Sequence, residues 1–322
     1  MSPTDNKWIS YVSIARPDHW VKHVFILPGV LGALALAPLN LSVLEITFNF
    51  FIGLASACLI ASANYVINEW LDAELDRNHP EKATRAAAAG LLKPLWVYVE
   101  YGVLAICGFA LAYCINTVFF LASLAFFVSG ITYNVKPVRT KDRVYLDVIS
   151  EAINNPIRLI LGWAMVSGDT IPPVSLIIAY WAGGAFLMAA KRLSEYSFIV
   201  AKKGQSGPGL YRRSFAYYSI ASLHISCFVY ALFCSFFIAI FFVKYRAELI
   251  LSFPIIVTLF GYYLRLAMQP MSFAQKPELL HRDLRLVTLA LALALAITLL
   301  TFIDMPFVEY IVQSRFVELY ID

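Results

Sequence analysis

Long apolar runs separated by short polar segments dominate the chain. They fall near residues 23–40, 46–66, 95–113, 116–134, 146–167, 173–190, 217–243, 247–267 and 286–303. A helix needs roughly 20 mainly apolar residues to span a bilayer core, so the pattern predicts nine transmembrane helices. Backbone facing lipid must satisfy its own hydrogen bonds, and the alternation of barrel strands is absent. The expected fold is therefore all-α. Nothing between the runs reads as a linker, so residues 1–322 are expected to form one polytopic membrane domain.

Composition strengthens this picture. The chain is 60% apolar and 14% charged, against about 45–50% and about 25% in soluble domains. The first 22 residues are polar and carry no short apolar leader, so no cleaved signal peptide is expected. Five cysteines lie in apolar segments without metal-ligand spacing and read as structural filler.

The bases set the sidedness. Lys7, Arg16 and Lys22 precede the first run; Arg77, Lys82, Arg85 and Lys93 follow the second; Lys136, Arg139, Lys141 and Arg143 follow the fourth. Lys191, Arg192, Lys202, Lys203, Arg212 and Arg213 follow the sixth, and Arg265, Lys276, Arg282 and Arg285 the eighth. That places 21 of the 25 Lys and Arg on one side, against Lys244, Arg246 and Arg315 on the other, with Arg158 inside a run. By the positive-inside rule the N-terminus and these loops are cytoplasmic and the C-terminus lies outside, in a cell inner (plasma) membrane. No nucleic-acid partner is expected, and homo-oligomerisation stays open.

Acidic residues among the bases carry the candidate chemistry. Asn68, Asp72 and Asp76 follow at i, i+4 and i+8, with Glu69 three before Asp72. On a helix this places an amide and carboxylates on one face at the membrane edge. Like charges so spaced repel unless a cation sits between them, and Mg²⁺ is commonly shared between one or two carboxylates and a substrate phosphate. Arg77, His79, Lys82 and Arg85 follow directly and suit the outer oxygens of a diphosphate. A salt-bridged helix end fits the same residues.

A second constellation runs from Tyr133 through Lys136, Arg139 and Lys141, then places Asp147, Glu151, Asn154 and Arg158 as one polar stripe. Arg158 lies more than two turns into the predicted span, where a charge is costly and faces a cavity or a partner; pairing with Glu151 or Asp147 remains open. A third group is Lys191, Arg192 and Glu195, for which a surface ion pair is the plainer reading, and Glu278, Asp283 and Arg285 form a weaker fourth. The glycine-rich stretch 204–209 lacks the ending of a P-loop and receives no phosphate role. Before the first run, Trp20 reads as an interface anchor and Lys22 as a contact for a lipid phosphate.

Nine spans and the pattern Asn68-Glu69-x-x-Asp72-x-x-x-Asp76 resemble the UbiA superfamily of intramembrane prenyltransferases, with Glu69 in place of the usual first Asp. Most members carry a second acidic motif after the sixth span. Here Lys191-Arg192-x-x-Glu195 stands instead, which is similar to the decaprenyl-phosphate phosphoribosyltransferase branch. Arg16, Pro17, Trp20, Val21 and Lys22, and then Asp76, Arg77, His79, Pro80 and Lys82, match further patterns of that branch. The family's Lys-Arg-x-Arg-Pro is replaced by Lys82-Ala83-Thr84-Arg85-Ala86.

The resemblance implies cytosolic active-site loops in a UbiA-like helical bundle. It further implies magnesium-dependent transfer of 5-phosphoribose from phosphoribosyl diphosphate to a polyprenyl phosphate. Asp72 and Asp76 would hold Mg²⁺ with Asn68 and Glu69 assisting, and Asp147 or Glu195 would stabilise the cation developing at ribose C1. The substrates would be bound by Lys22, Arg77, Lys82, Arg85, Tyr133, Lys136, Arg139, Lys141, Glu151, Arg158, Lys191 and Arg192. The alternative reaction moves an isoprenyl chain from a prenyl diphosphate to an aromatic or lipid acceptor. A transporter would need polar groups through several spans and an internal repeat, neither of which the chain presents.

Overall fold

The computed structural model describes residues 7–77, 82–204, 207–269, 275, 280 and 282–312, and every regular element among them is helical. His79, Lys276, Glu278 and Arg315 lie outside the described residues.

A short α1 (Lys7–Ile14) precedes a 3₁₀ segment, Pro17–Ile26, that runs directly into α2 (Leu27–Leu36). Helix α3 (Val43–Asp76) starts on a capping box, in which the Glu45 N–H donates to Ser42 Oγ and the Ser42 N–H donates back to Glu45. Helix α4 (Pro94–Tyr113) places proline where the N–H would go unused, and α5 (Thr117–Asn134) is capped by Asn116, which accepts from the Phe119 N–H at 2.8 Å. Then come α6 (Leu146–Ala152), α7 (Asn154–Ala164), α8 (Val174–Lys203), α9 (Gly207–Tyr211), α10 (Ile220–Tyr245), α11 (Phe253–Ala267), α12 (Leu284–Phe302) and α13 (Pro306–Val312).

Among the described residues, eight helical stretches are long and apolar enough to cross a membrane: 8–36, 43–76, 94–113, 117–134, 174–202, 220–245, 247–267 and 284–302. The fifth expected span, 146–167, is instead the pair α6 and α7, of 7 and 11 residues. Pro156 has no N–H to offer the Ala152 carbonyl, and the helix breaks at Ile153. Two further boundaries move. Helices α3 and α8 run 34 and 30 residues, about 50 and 45 Å at the α-helical rise, well beyond a bilayer core of ~30 Å. The acidic motif on α3 and the Lys191–Glu195 group on α8 thus ride on continuous helices and not on loops.

Helices α3 and α4, α2 and α7, and α8 and α10 pack along one another. The α2–α7 crossing depends on two reciprocal glycines: a Cβ on Gly29 would strike the Leu159 carbonyl, and one on Gly162 would strike the Ile26 carbonyl. Small residues that admit backbone contact are the usual adhesive between helices in lipid, where apolar burial gives little drive. Polar links add to it, including Ser56 to the Gly108 carbonyl at 2.7 Å and Tyr180 to the Phe25 carbonyl at 2.9 Å. One apolar core contains Ile60, Phe119, Phe126 and Trp163; a second contains Phe186, Leu193, Phe215 and Tyr263. At one end of the bundle, the segments that follow α3, α5 and α8 meet. All three carry bases.

Candidate active site

The C-terminal turns of α3 supply the acidic wall. Asp72 Oδ1 accepts from Lys141 Nζ at 2.6 Å and from Arg139 Nη2 at 2.8 Å, while Asp76 pairs with Arg85 at 2.7 Å. Asn68 donates to Asn134 Oδ1, which also accepts from Lys141 at 2.8 Å. Glu69 is buried, facing the Ala87 N–H and the charges of Arg85 and Arg16. Arg139 reaches Asp72 from a left-handed backbone, φ 30°, a conformation that costs free energy and persists where the surroundings impose it. Burial pulls the Lys141 ammonium down to about 8.

Opposite lies a wall built from α6 and α8. Arg192 is 2% exposed and donates to three carboxylates: Glu151 at 2.7 Å, Glu195 at 3.0 Å and Asp147 at 3.2 Å. Tyr133 joins this wall, donating to Glu151 at 2.8 Å and accepting from Arg212 at 2.9 Å. Asp147 is fully enclosed, accepting from Tyr218 at 2.7 Å and Ser214 at 3.1 Å, with Arg212 3.4 Å away. Burial and the adjacent Asp147 carboxylate push the Tyr218 hydroxyl up, so it stays protonated and donates.

Several expected roles change on this geometry. Asp147 has three hydrogen-bond donors on its two oxygens, a second guanidinium beside it and no exposed surface, so it anchors Arg192 and Arg212. Arg192 is spent on carboxylates and offers no free N–H fork to a phosphate. Its neighbour Lys191, about 100° round the helix, couples instead to Glu195, Glu151 and Lys22. Arg77 donates to the Ala88 carbonyl at 3.3 Å, Lys82 stacks on Tyr211 at 5.4 Å, and both pin the segment after α3. Lys136 is exposed and lines a lateral groove of about 560 Å³ with Leu71, Val135 and Arg213. Asp283 caps α12 and bonds Tyr262.

The third side comes from the first 3₁₀ segment. Lys22 Nζ lies 2.9 Å from His19 Nδ1 and 5.7 Å from the centre of the Tyr65 ring, which Arg16 and His19 also flank. Arg16, too, has a left-handed backbone, φ 52°. The charges of Arg16, Lys22, Arg85 and Lys191 all act on His19. The result is a chamber with one acidic wall, one neutralised wall and a convergent set of cations.

The sequence reading did not assign Arg212, Ser214, Tyr218, Asn134, Arg16 or His19 to the site. Arg16 and His19 lay beside an assigned Lys22. Arg212, Ser214 and Tyr218 gave no periodic signal, because they come from an irregular segment.

The donor set fits Mg²⁺. Asn68, Asp72 and Asp76 present hard oxygens one helical turn apart, and that ion asks for few protein ligands when a diphosphate supplies the rest. Among the described residues no three His, Cys, Asp or Glu converge into a cage of their own. The bases now on Asp72 and Asp76 are those a diphosphate would draw onto its own oxygens.

Residues 25–276 match the UbiA prenyltransferase family. Among relatives, a decaprenyl-phosphate phosphoribosyltransferase of Mycolicibacterium smegmatis is 24% identical over 193 residues, 60% of this chain and 59% of that one. A 4-hydroxybenzoate octaprenyltransferase of Aeromonas salmonicida is 31% identical over 130 residues, 40% of this chain and 44% of its own. The chain thus spans about three fifths or less of the length of these curated relatives. A UbiA homologue from Archaeoglobus fulgidus, bound to GPP and Mg²⁺, superposes with a TM-score of 0.66 at 21% identity, covering 94% of this chain and 99% of that one. The eight apolar helices among the described residues, the acidic face of α3 and the family match over most of the chain lead to one conclusion: this is an integral membrane protein that belongs to the UbiA prenyltransferase family.

Proposed function

We propose that the protein transfers 5-phosphoribose from phosphoribosyl diphosphate to a polyprenyl phosphate and releases diphosphate. The observation that carries this reading is the wall of α8. Where a second acidic, metal-binding surface would stand, Lys191 lies among the charges of Glu195, Glu151 and Lys22, and Glu195 and Glu151 are tied to Arg192. A prenyl diphosphate beside an apolar acceptor asks for no such surplus of cations. A donor with a diphosphate and a 5-phosphate, meeting a lipid phosphate, does.

Asp72 and Asp76, with Asn68, would hold Mg²⁺, which would supply positive charge to the departing diphosphate. Arg139, Lys141 and Arg85 exchange their carboxylate partners for phosphate oxygens. The Tyr133 hydroxyl and Glu151 face the sugar, and the Glu151 carboxylate, the most open of the three around Arg192, stabilises positive charge developing at C1. A lipid phosphate oxygen forms the new bond to C1 as the C1–diphosphate bond breaks. The nucleophile is already an anion, so no general base is required. The concentration of bases at this end supports a chamber at the cytoplasmic face of the plasma membrane.

Purified protein incubated with Mg²⁺, polyprenyl phosphate and labelled phosphoribosyl diphosphate, beside a prenyl diphosphate control, tests the reading. Diphosphate is expected from the sugar donor. Release from the prenyl donor alone overturns it.

A further inference from the structure

Below the chamber lies a second polar layer that the steps above do not use. Tyr65 sits seven residues before Asp72 on α3, about 10 Å further from the chamber end, and Arg158 lies on α7, beyond the break that separates it from Glu151 on α6. Arg158 is 7% exposed and His23 is 4% exposed. The guanidinium lies 5.0 Å from the centre of the Phe126 ring and donates to the Asn154 carbonyl at 3.3 Å. His23 meets the edge of the same ring, and Asn64 donates to the Phe126 carbonyl. The field of Arg158 reaches the hydroxyls of Tyr65 and Tyr180.

This layer is incomplete in a specific way. Arg158 makes no ion pair among the described residues: Glu151 and Asp147 both pair with Arg192, and the Glu151 charge acts on Arg158 only from a distance. Arg158 Nε, His23 Nδ1 and Asn64 Oδ1 are buried without a hydrogen-bond partner. A ring face and one carbonyl compensate poorly for a guanidinium taken out of water, and a charge at this depth is retained where it meets an anion.

We propose that Arg158, with His23 and Tyr65, forms the seat of the acceptor's phosphate monoester. This deepens the reading above and rests on it for the identity of the reaction. Two arguments select the acceptor. A polyprenyl phosphate arrives with its chain in the bilayer, and this layer is walled by Phe25, Tyr65, Phe126 and Tyr180. Displacement at C1 also needs nucleophile and leaving group on opposite sides of the carbon. With the diphosphate on α3 at the outer end, the entering oxygen comes from below. It forms the O–C1 bond, and the electron pair of the broken C1–O bond leaves with diphosphate.

The test is direct binding in lipid nanodiscs without donor, comparing a long-chain polyprenyl phosphate with the uncharged polyprenol. Arg158→Gln is expected to weaken retention of the phosphate about 30-fold or more, the cost of losing one partner of a buried charge pair. Polyprenol retention and phosphoribosyl diphosphate binding stay as in the parent protein, and Arg158→Lys recovers part of the loss. Because removing an uncompensated charge should not unfold the bundle, Arg158→Gln without ligand is expected to melt at or above the parent temperature, and only the parent gains stability from polyprenyl phosphate. Unchanged phosphate retention overturns the proposal. So does a loss confined to the sugar donor, which would give Arg158 to the donor's 5-phosphate. If the lipid-phosphate result holds but no phosphoribosyl transfer occurs, the assignment of the donor fails and the site stands.

Discussion

Asp72 holds two cations from one short segment, Lys141 and Arg139, and Asp76 holds a third, Arg85. On the proposed function, an array that would keep its bases on carboxylates until a diphosphate arrives is sensitive to charge more than to shape. Asp72→Asn and Asp76→Asn are therefore expected to lose magnesium-dependent turnover by at least about 100-fold while remaining monodisperse in detergent. Full turnover in either removes the metal assignment. Lys191 and Arg192, adjacent in sequence, are expected to fail differently. Arg192→Met strands three carboxylates around a buried gap and should cost about 3–5 kcal/mol, read as a lower melting temperature. Lys191→Met should melt near the parent temperature and weaken substrate binding about tenfold or more. Identical behaviour of the two would mean the chamber is wrongly drawn.

At the scale of elements, precision comes from helix ends and close crossings. The break between α6 and α7 at Ile153 sets the stretch bearing Glu151 against Arg192 and leaves the α7 stretch free to carry Arg158 downward. Helix α7 can serve the chamber only if it stays against α2, and Gly29 and Gly162 permit that distance. Gly162→Val should force the pair apart at a cost of about 1–3 kcal/mol and reduce turnover with it. Gly261 on α11 has no neighbour within 4 Å of an added Cβ, so Gly261→Ala is the control expected to leave melting unchanged or slightly raised. Equal effects from both would remove the argument for a close α2–α7 crossing.

For the whole molecule, the distribution of bases predicts an orientation that the helices alone do not reveal. A single cysteine at position 136 in a cysteine-free background should react with an impermeant reagent from the cytoplasmic side, and one at 244 from the opposite side. The reverse pattern would turn the chamber outward and cut it off from a cytosolic sugar donor. The membrane character, the all-helical fold and the acidic face of α3 are properties of local order, namely hydropathy over a span's length and the 3.6-residue period, and the linear chain by itself determined them. It also carried the missing second acidic motif. The break of the expected fifth span was marked by Pro156 yet masked by apolar residues on either side. Which charge cancels which was decided only by tertiary packing. Arg192 donates to three carboxylates while its neighbour Lys191 only feels the charge of two of them, Asp147 is enclosed by residues 45 to 71 positions distant, and Arg158 makes no ion pair among the described residues. Coulomb energies depend on distance and burial in space, and neither is written in the order of residues along a chain.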